Sequence, residues 1–298
     1  MKKIIFHIGN HKTGSSTLQK FMFKNSKLFE KFNYIYPKKF IREGDYGHSN
    51  LAFELTKNKN FRRQFGDHLN FINFLKKNKK NIIISSEDLE FLDFNKNLFS
   101  KIKKTIKSKN YKIYILFFYR KPISLYISMI KEIVKSGYYF EKYDHKKNLE
   151  LINKNGYFLY SKYKYWFCYK KQIKKISEVF DLKEKFIFKI NYEKNNSIKN
   201  FINFILNKKD KIKFNKQKII LPKNINAQES MSKIQLINNK NKLKFYLKQF
   251  NLYQISRCLL LVIFYYIFSK FIILENKAIL DTDDYNFLKK INFDINKI

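Results

Sequence analysis

The sequence predicts an α/β fold: a central parallel β-sheet flanked by helices on both faces, with a phosphate-binding loop after the first strand. Three observations lead there. Short apolar runs rich in β-branched and aromatic residues recur at Ile4 to Ile8, Asn81 to Ser86, Lys112 to Tyr119 and Lys185 to Ile190. Longer amphipathic stretches, around 67–77, 95–108, 122–136, 157–180 and 196–206, separate them with apolar residues at helical spacing. Strands alternating with helices argue for a parallel sheet covered on both sides. The third observation is the turn that follows the first run, Gly9-Asn10-His11-Lys12-Thr13-Gly14-Ser15-Ser16-Thr17. In sheets of this kind ligands bind beyond the carboxyl ends of the strands, so the residues after each run are where chemistry is expected.

The first element is the strand through Ile4, Ile5, Phe6 and Ile8, and its turn is nucleotide-kinase-like in its glycine spacing. Gly9 and Gly14 permit backbone conformations and a close ligand approach that a Cβ would obstruct. From Ser15 a helix is expected, with Leu18, Phe21 and Met22 on one face. Its free N–H groups and positive dipole end suit an anion in the turn. Lys12 and the hydroxyls of Thr13, Ser15, Ser16 and Thr17 add donors. The residue after the second glycine is Ser15, where a Walker A loop has Lys, so an anion site without metal is favoured over a nucleoside-triphosphatase.

After the second run comes Ser85-Ser86-Glu87-Asp88, which places Glu87 at a strand end as a candidate general base. The alternative is that Ser86 or Asp88 caps a turn and Glu87 is a surface acid. After the third run come Arg120, at a strand tip suited to gripping a phosphate, and a helix beginning at Pro122. Ser128 lies about 9 Å further along that helix. His48, at an expected loop-to-helix junction, is the rival base because its ordinary pKa is near neutrality.

These motifs resemble those of the sulfotransferases that use 3′-phosphoadenosine 5′-phosphosulfate (PAPS), most closely the bacterial members acting on carbohydrates or small molecules. Lys12-Thr13-Gly14-Ser15-Ser16-Thr17 is similar to that family's loop for the 5′-phosphosulfate. Arg120 and Ser128 stand at the spacing of its 3′-phosphate pair, and Glu87 stands where its base is found. More weakly, Tyr192 in Phe188-Lys189-Ile190-Asn191-Tyr192-Glu193 resembles a residue approaching the adenine. Asn226-Ala227-Gln228-Glu229-Ser230-Met231-Ser232 and the final helix, Asp283 to Ile298, are similar to segments of bacterial members. Leu18 stands where the cytosolic branch has a stacking aromatic. The resemblance implies a single sulfotransferase domain over 1–298, with 240–275 as a family-atypical helical insertion. It implies PAPS as co-substrate without a metal, Lys12 on the leaving oxygen, and Glu87 as base with His48 as the alternative. The implied acceptor is a hydroxyl on a carbohydrate, glycolipid or small molecule, and the aromatic segment Tyr157 to Tyr169 offers either a sugar-site lining or a core helix face.

The net charge of +38, from 62 Lys+Arg against 24 Asp+Glu, allows a polyanionic partner. The lysines are spread over nearly every segment and accompany no recognised nucleic-acid motif, so no specific nucleic acid is expected. Cys168 and Cys258 are too few for a disulfide framework, which favours a reducing, cytoplasmic setting. The apolar run 258–274 is too short uninterrupted to span a bilayer. It reads as a core helix or as a surface helix at the inner membrane, flanked by Lys248, Arg257 and Lys270. A small-molecule kinase with a divergent loop and a non-catalytic nucleic-acid-binding protein are the alternatives from other classes.

Overall fold

The computed structural model describes residues 1–138, 142–160, 163–191, 197–222, 237–238 and 240–242. Tyr192, the segment 226–232, the run 258–274 and the helix expected over 283–298 lie outside them, as does 240–275 beyond its first three residues. The chain divides into two compact units, Met1–Lys121 with residues 156–225 and Pro122–Asn155 with residues 226–296.

The first unit opens with β1 (Lys2–Gly9), α1 (Ser15–Lys24), α2 (Ser26–Lys31) and β2 (Tyr34–Ile35), then α3 (Ser49–Leu55), α4 (His68–Lys77) and β3 (Asn81–Ser85). It continues through α5 (Lys96–Ser108) and β4 (Tyr111–Tyr119). The second unit contributes α6 (Pro122–Lys135) and α7 (Lys142–Asn155). The chain then returns to the first unit with β5 (Tyr157–Tyr160), β6 (Tyr163–Trp166), α8 (Tyr169–Phe180), β7 (Ile187–Asn191), α9 (Ser197–Ile205) and α10 (Lys208–Asn215).

Five strands form a parallel sheet in the order β2-β3-β1-β4-β7. The register sets His7 opposite Ser85 and Gly9 opposite Phe118, so β3, β1 and β4 end along one edge. Because β3 and β4 flank β1 on opposite sides, the chain reverses its winding there, and a crevice opens at such a point.

Successive side chains of β1 serve opposite layers, which is why the strand is apolar almost throughout. Ile5 joins a core with Leu18, Phe21 and Met22 of α1, Leu116 and Phe118 of β4 and Phe201 of α9. On the other side Phe6 packs on Phe180 of α8 at 5.2 Å, and Phe180 on Phe99 of α5 at 5.1 Å. Burying each such side chain is worth roughly 1.5–3 kcal/mol, so both layers hold the strand whose end forms the loop.

The expected helix over 157–180 is corrected at its start. Tyr157–Tyr160 pairs antiparallel with Tyr163–Trp166, and the helix begins only at Tyr169. Gly156, at φ +85°, turns the chain, and its carbonyl accepts from the N–H groups of Phe167 (2.8 Å) and Cys168 (2.9 Å), closing the hairpin. An aromatic-rich run gains more by pairing across strands than from helical packing. In the second unit, Tyr126 Oη of α6 meets His145 Nδ1 of α7 at 3.0 Å, and Asn241 Nδ2 donates to the carbonyls of Val134 (2.8 Å) and Tyr138 (3.0 Å).

Candidate functional site

The loop between β1 and α1 is stapled by its own polar groups. Asn10 N–H donates to the Phe118 carbonyl on β4 at 3.1 Å. The Asn10 carbonyl accepts from both Thr13 N–H (3.2 Å) and Thr13 Oγ1 (2.5 Å). The Asn10 side chain, fully buried, donates to the Trp166 carbonyl at 3.2 Å and accepts from Gln172 Nε2 of α8 at 2.9 Å. Lys12 and Gly14 both take positive φ, +66° and +76°, and so curl the chain back over the strand end. A Cβ added at Gly9 would overlap Ser15 Oγ and crowd Thr13 Oγ1 at 3.0 Å. The first glycine is therefore required by contact and the second by conformation.

This folding changes what the expected donors can offer. Both Thr13 donors are used inside the loop, and Ser15 is buried with Oγ 3.5 Å from Thr13 Oγ1. Ser16 is exposed and Thr17 half-buried. Gly14, the residue before α1, supplies no side-chain cap, and no acidic residue stands in the first turn, so the dipole end of the helix keeps its positive character. Arg120, just past β4, donates from Nη1 to the Lys12 carbonyl at 3.4 Å, and its own carbonyl accepts from Tyr169 Oη at 2.5 Å. Two of the expected anion-binding cations thus meet at the loop.

A cleft of about 350 Å³ opens beside it, lined by Ser16 and Gln19 of α1, by Arg42, Asp45, Tyr46 and Ser49, and by Ser86, Glu87 and Asp88. Ser86 caps the short 3₁₀ turn Glu87–Phe91 by accepting from Asp88 N–H at 3.2 Å, which is the capping role expected for it. The cap does not remove Glu87 from the cleft, where it stands half-buried. Burial pushes the neighbouring Asp88 carboxyl up to about 6, against the opposing pull of His11.

The three histidines of this region have different fates. His48, the rival base, is fully buried: Nδ1 accepts from Ser85 N–H at 3.0 Å and Nε2 donates to the Pro37 carbonyl at 2.9 Å. Burial lowers it to about 4, and with both ring nitrogens engaged it has none left to take a proton from an acceptor. It works as a pin between the 37–48 segment and the end of β3. His7 is also fully buried, with Nδ1 2.7 Å from Ser85 Oγ, and burial lowers it to about 3. His11 instead pairs through Nδ1 with Glu90, and its N–H donates to the same carboxylate at 3.2 Å.

Of the remaining expected residues, Ser128 lies on the second turn of α6, in the second unit, and Tyr192 lies outside the described residues. Among the described residues no cluster of His, Cys, Asp or Glu could hold a metal ion, and no helix is long and apolar enough to cross a membrane.

No family model matches the sequence, and no curated protein matches it. Among solved structures, the chain is similar to a sulfotransferase from Alicyclobacillus acidocaldarius, at 13% identity and a TM-score of 0.43 over 83% of this chain and 96% of the other. It is also similar to a structure of the PezAT chromosomal toxin–antitoxin system of Streptococcus pneumoniae, at 14% identity and a TM-score of 0.34, over 82% of this chain and 87% of that one. A third is retinol dehydratase in complex with androsterone and the inactive cofactor PAP, at 13% identity and a TM-score of 0.32, over 80% of this chain and 64% of that one. Likenesses at this level assign neither activity nor ligand.

Sequence reasoning missed Glu90, the buried partner of His11, and the Asn10–Gln172 brace beneath the loop. The only signal for Glu90 was the acidic run Glu87-Asp88-Leu89-Glu90, which does not tell the buried acid from the half-buried ones. Gln172 sits on a helix with no local mark of its contact 162 residues away.

Proposed function

We propose that this chain transfers a sulfuryl group from PAPS to a hydroxyl of a carbohydrate, glycolipid or small-molecule acceptor by in-line displacement. The observation that carries the reading is the single cleft lined both by Ser16, in the uncapped first turn of α1, and by the carboxylate of Glu87. An anionic donor held by the loop and an acceptor hydroxyl facing Glu87 would share that space. In the reaction Glu87 takes the acceptor proton, the acceptor oxygen bonds to sulfur, and the bond from sulfur to the bridging oxygen breaks. The charge left on the 5′-phosphate meets Lys12 and the N–H groups of the α1 start. Arg120 is proposed for the 3′-phosphate, whose remote binding energy would fix the donor in line.

The cleft wall supports the acceptor class. Arg42, Asp45 and Ser49 offer donors and acceptors to hydroxyls, and the rings of Tyr46 and Phe53 offer apolar surface to a sugar face. Asp88, pushed up to about 6, is a second proton acceptor beside Glu87 near neutral pH.

The test is transfer from sulfur-labelled PAPS to a panel of sugar and glycolipid hydroxyls in the presence of a metal chelator. Transfer by wild type, with Glu87→Gln about 100-fold slower and unchanged in donor affinity, is the expected result. Label transferred from the γ-position of ATP but never from PAPS would replace this reading with a small-molecule kinase.

A further inference from the structure

We infer that His11 and the buried Glu90 form a built dyad that presents a fixed imidazolium to the anion held by the β1–α1 loop. The inference goes beyond the proposed transfer reaction and rests on it only for the identity of that anion. His11 stands between Asn10 and Lys12 in the loop. Its Nδ1 and its backbone N–H both bond the Glu90 carboxylate, which is 1% exposed. Its ring lies against Phe91 at 5.5 Å, stacked, and meets the Tyr165 edge at 5.4 Å. The ring is therefore held from three sides, while its side chain stays 20% exposed and Nε2 bonds nothing among the described residues.

A carboxylate behind Nδ1 favours the form in which both ring nitrogens carry protons, so Nε2–H is a charge-assisted donor. The pair is neutral as a whole. What it contributes is an oriented dipole, with its negative end buried at Glu90 and its positive end on the loop.

The surrounding charges agree. Burial alone would lower His11, but the carboxylate of Glu90, and after it those of Glu87 and Asp88, raise it to about 10. The other titratable groups around it are Tyr165 on β6, Lys12 next in the chain and Arg120 at the Lys12 carbonyl. Burial pushes the Glu90 carboxyl up, but His11 pulls it down through both of its bonds. With Glu87 and Asp88 also favouring the charged ring, His11 is on this inference a cation and not a base at neutral pH, and Glu90 is a positioning residue acting through it.

Two measurements test this. Nitrogen chemical shifts of the His11 ring in the wild-type protein are expected to show both nitrogens protonated from pH 6 to pH 8, and an unprotonated ring nitrogen at pH 7 would overturn the dyad. Inorganic sulfate, whose charge is constant over that range, is then titrated at pH 6 and pH 8. Wild type is expected to bind it equally at both, and His11→Gln about 10-fold more weakly at both. Glu90→Gln is expected to match wild type at pH 6 and fall about 10-fold by pH 8, as its imidazole loses the proton. Wild-type affinity in His11→Gln, or a flat wild-type profile in Glu90→Gln, would refute the inference. The adenosine 3′,5′-bisphosphate product of PAPS, titrated in parallel, separates the two claims. Sulfate behaving as expected while that nucleotide fails to bind sinks the sulfotransferase reading alone, and the reverse sinks the dyad alone.

Discussion

At the start of α4, Asp67 accepts from Asn70 N–H at 2.8 Å while Asn70 Oδ1 accepts from Asp67 N–H at 3.2 Å, a reciprocal capping box. At the start of α1 the corresponding residue is Gly14, which has no side chain with which to cap anything. The α4 start closes on itself, and α5 does likewise through Asn95, which accepts from Asn97 and Leu98 N–H groups at 3.2 and 3.4 Å. The α1 start has no side-chain cap, as is also true of α2, α3 and α8, and what distinguishes it is the glycine-bounded loop before it, where Arg120 donates to the Lys12 carbonyl. An uncapped start does not by itself mark a ligand site; on the proposed reading it is the loop before α1, with Lys12 and Arg120, that turns the open N–H groups to an anion.

The change that should break this contrast most is Lys12→Ala. It removes a charge-assisted donor from the open end, and affinity for adenosine 3′,5′-bisphosphate should fall roughly 10- to 100-fold by calorimetry. Gly9→Ala should come next. Its Cβ overlaps Ser15 Oγ, so we expect a loss of about 2 kcal/mol in denaturant melts together with weakened nucleotide binding. Ser16→Asp converts the open end towards the closed kind. A carboxylate in the first turn should stabilise α1 by roughly 0.5 kcal/mol while repelling the anion, so a rise in melting temperature accompanied by tighter nucleotide binding would contradict the account. The control at the closed end is Asp67→Ala, expected to cost about 1 kcal/mol of stability and to leave nucleotide affinity untouched.

The pH-dependent prediction concerns His48, which pins the 37–48 segment to the end of β3. Its folded value of about 4 lies below the ordinary 6.5, so the unfolded chain binds more protons between those values. The stability that His48 contributes is complete above about pH 6.5 and is lost as the pH falls towards 4. The stability gap between wild type and His48→Gln should therefore shrink as the pH falls over that window, at most by about 1.4 kcal/mol per pH unit, with donor affinity unaffected.

Much of the scaffold was legible because its strands are buried on both faces and so read as unbroken apolar runs. β1, β3, β4 and β7 each begin within two residues of the run that announced them. β2, only two residues long, carries no period to read. The hairpin over Tyr157 to Trp166 was read as helix because its aromatic residues fit either spacing, and only the turn at Gly156 and the cross-strand register decide between them. Within the loop, the glycines and hydroxyls suggested the candidate anion site, but residue types could not reveal that Thr13 faces inward while Ser16 faces the cleft. Nor could they set His48 apart from His11. One is buried between two backbone groups and the other is held by an acid 79 residues away, and both contacts exist only once the sheet has assembled.

The most direct measurement is a calorimetric titration of adenosine 3′,5′-bisphosphate into wild type and Lys12→Ala without magnesium, with ATP, with and without magnesium, as the comparison. Micromolar binding of the bisphosphate to wild type, much weaker in Lys12→Ala and much weaker for ATP, is what the open helix end and its cations predict. Equal affinity in the two proteins, or ATP with magnesium binding better than the bisphosphate, would contradict the account.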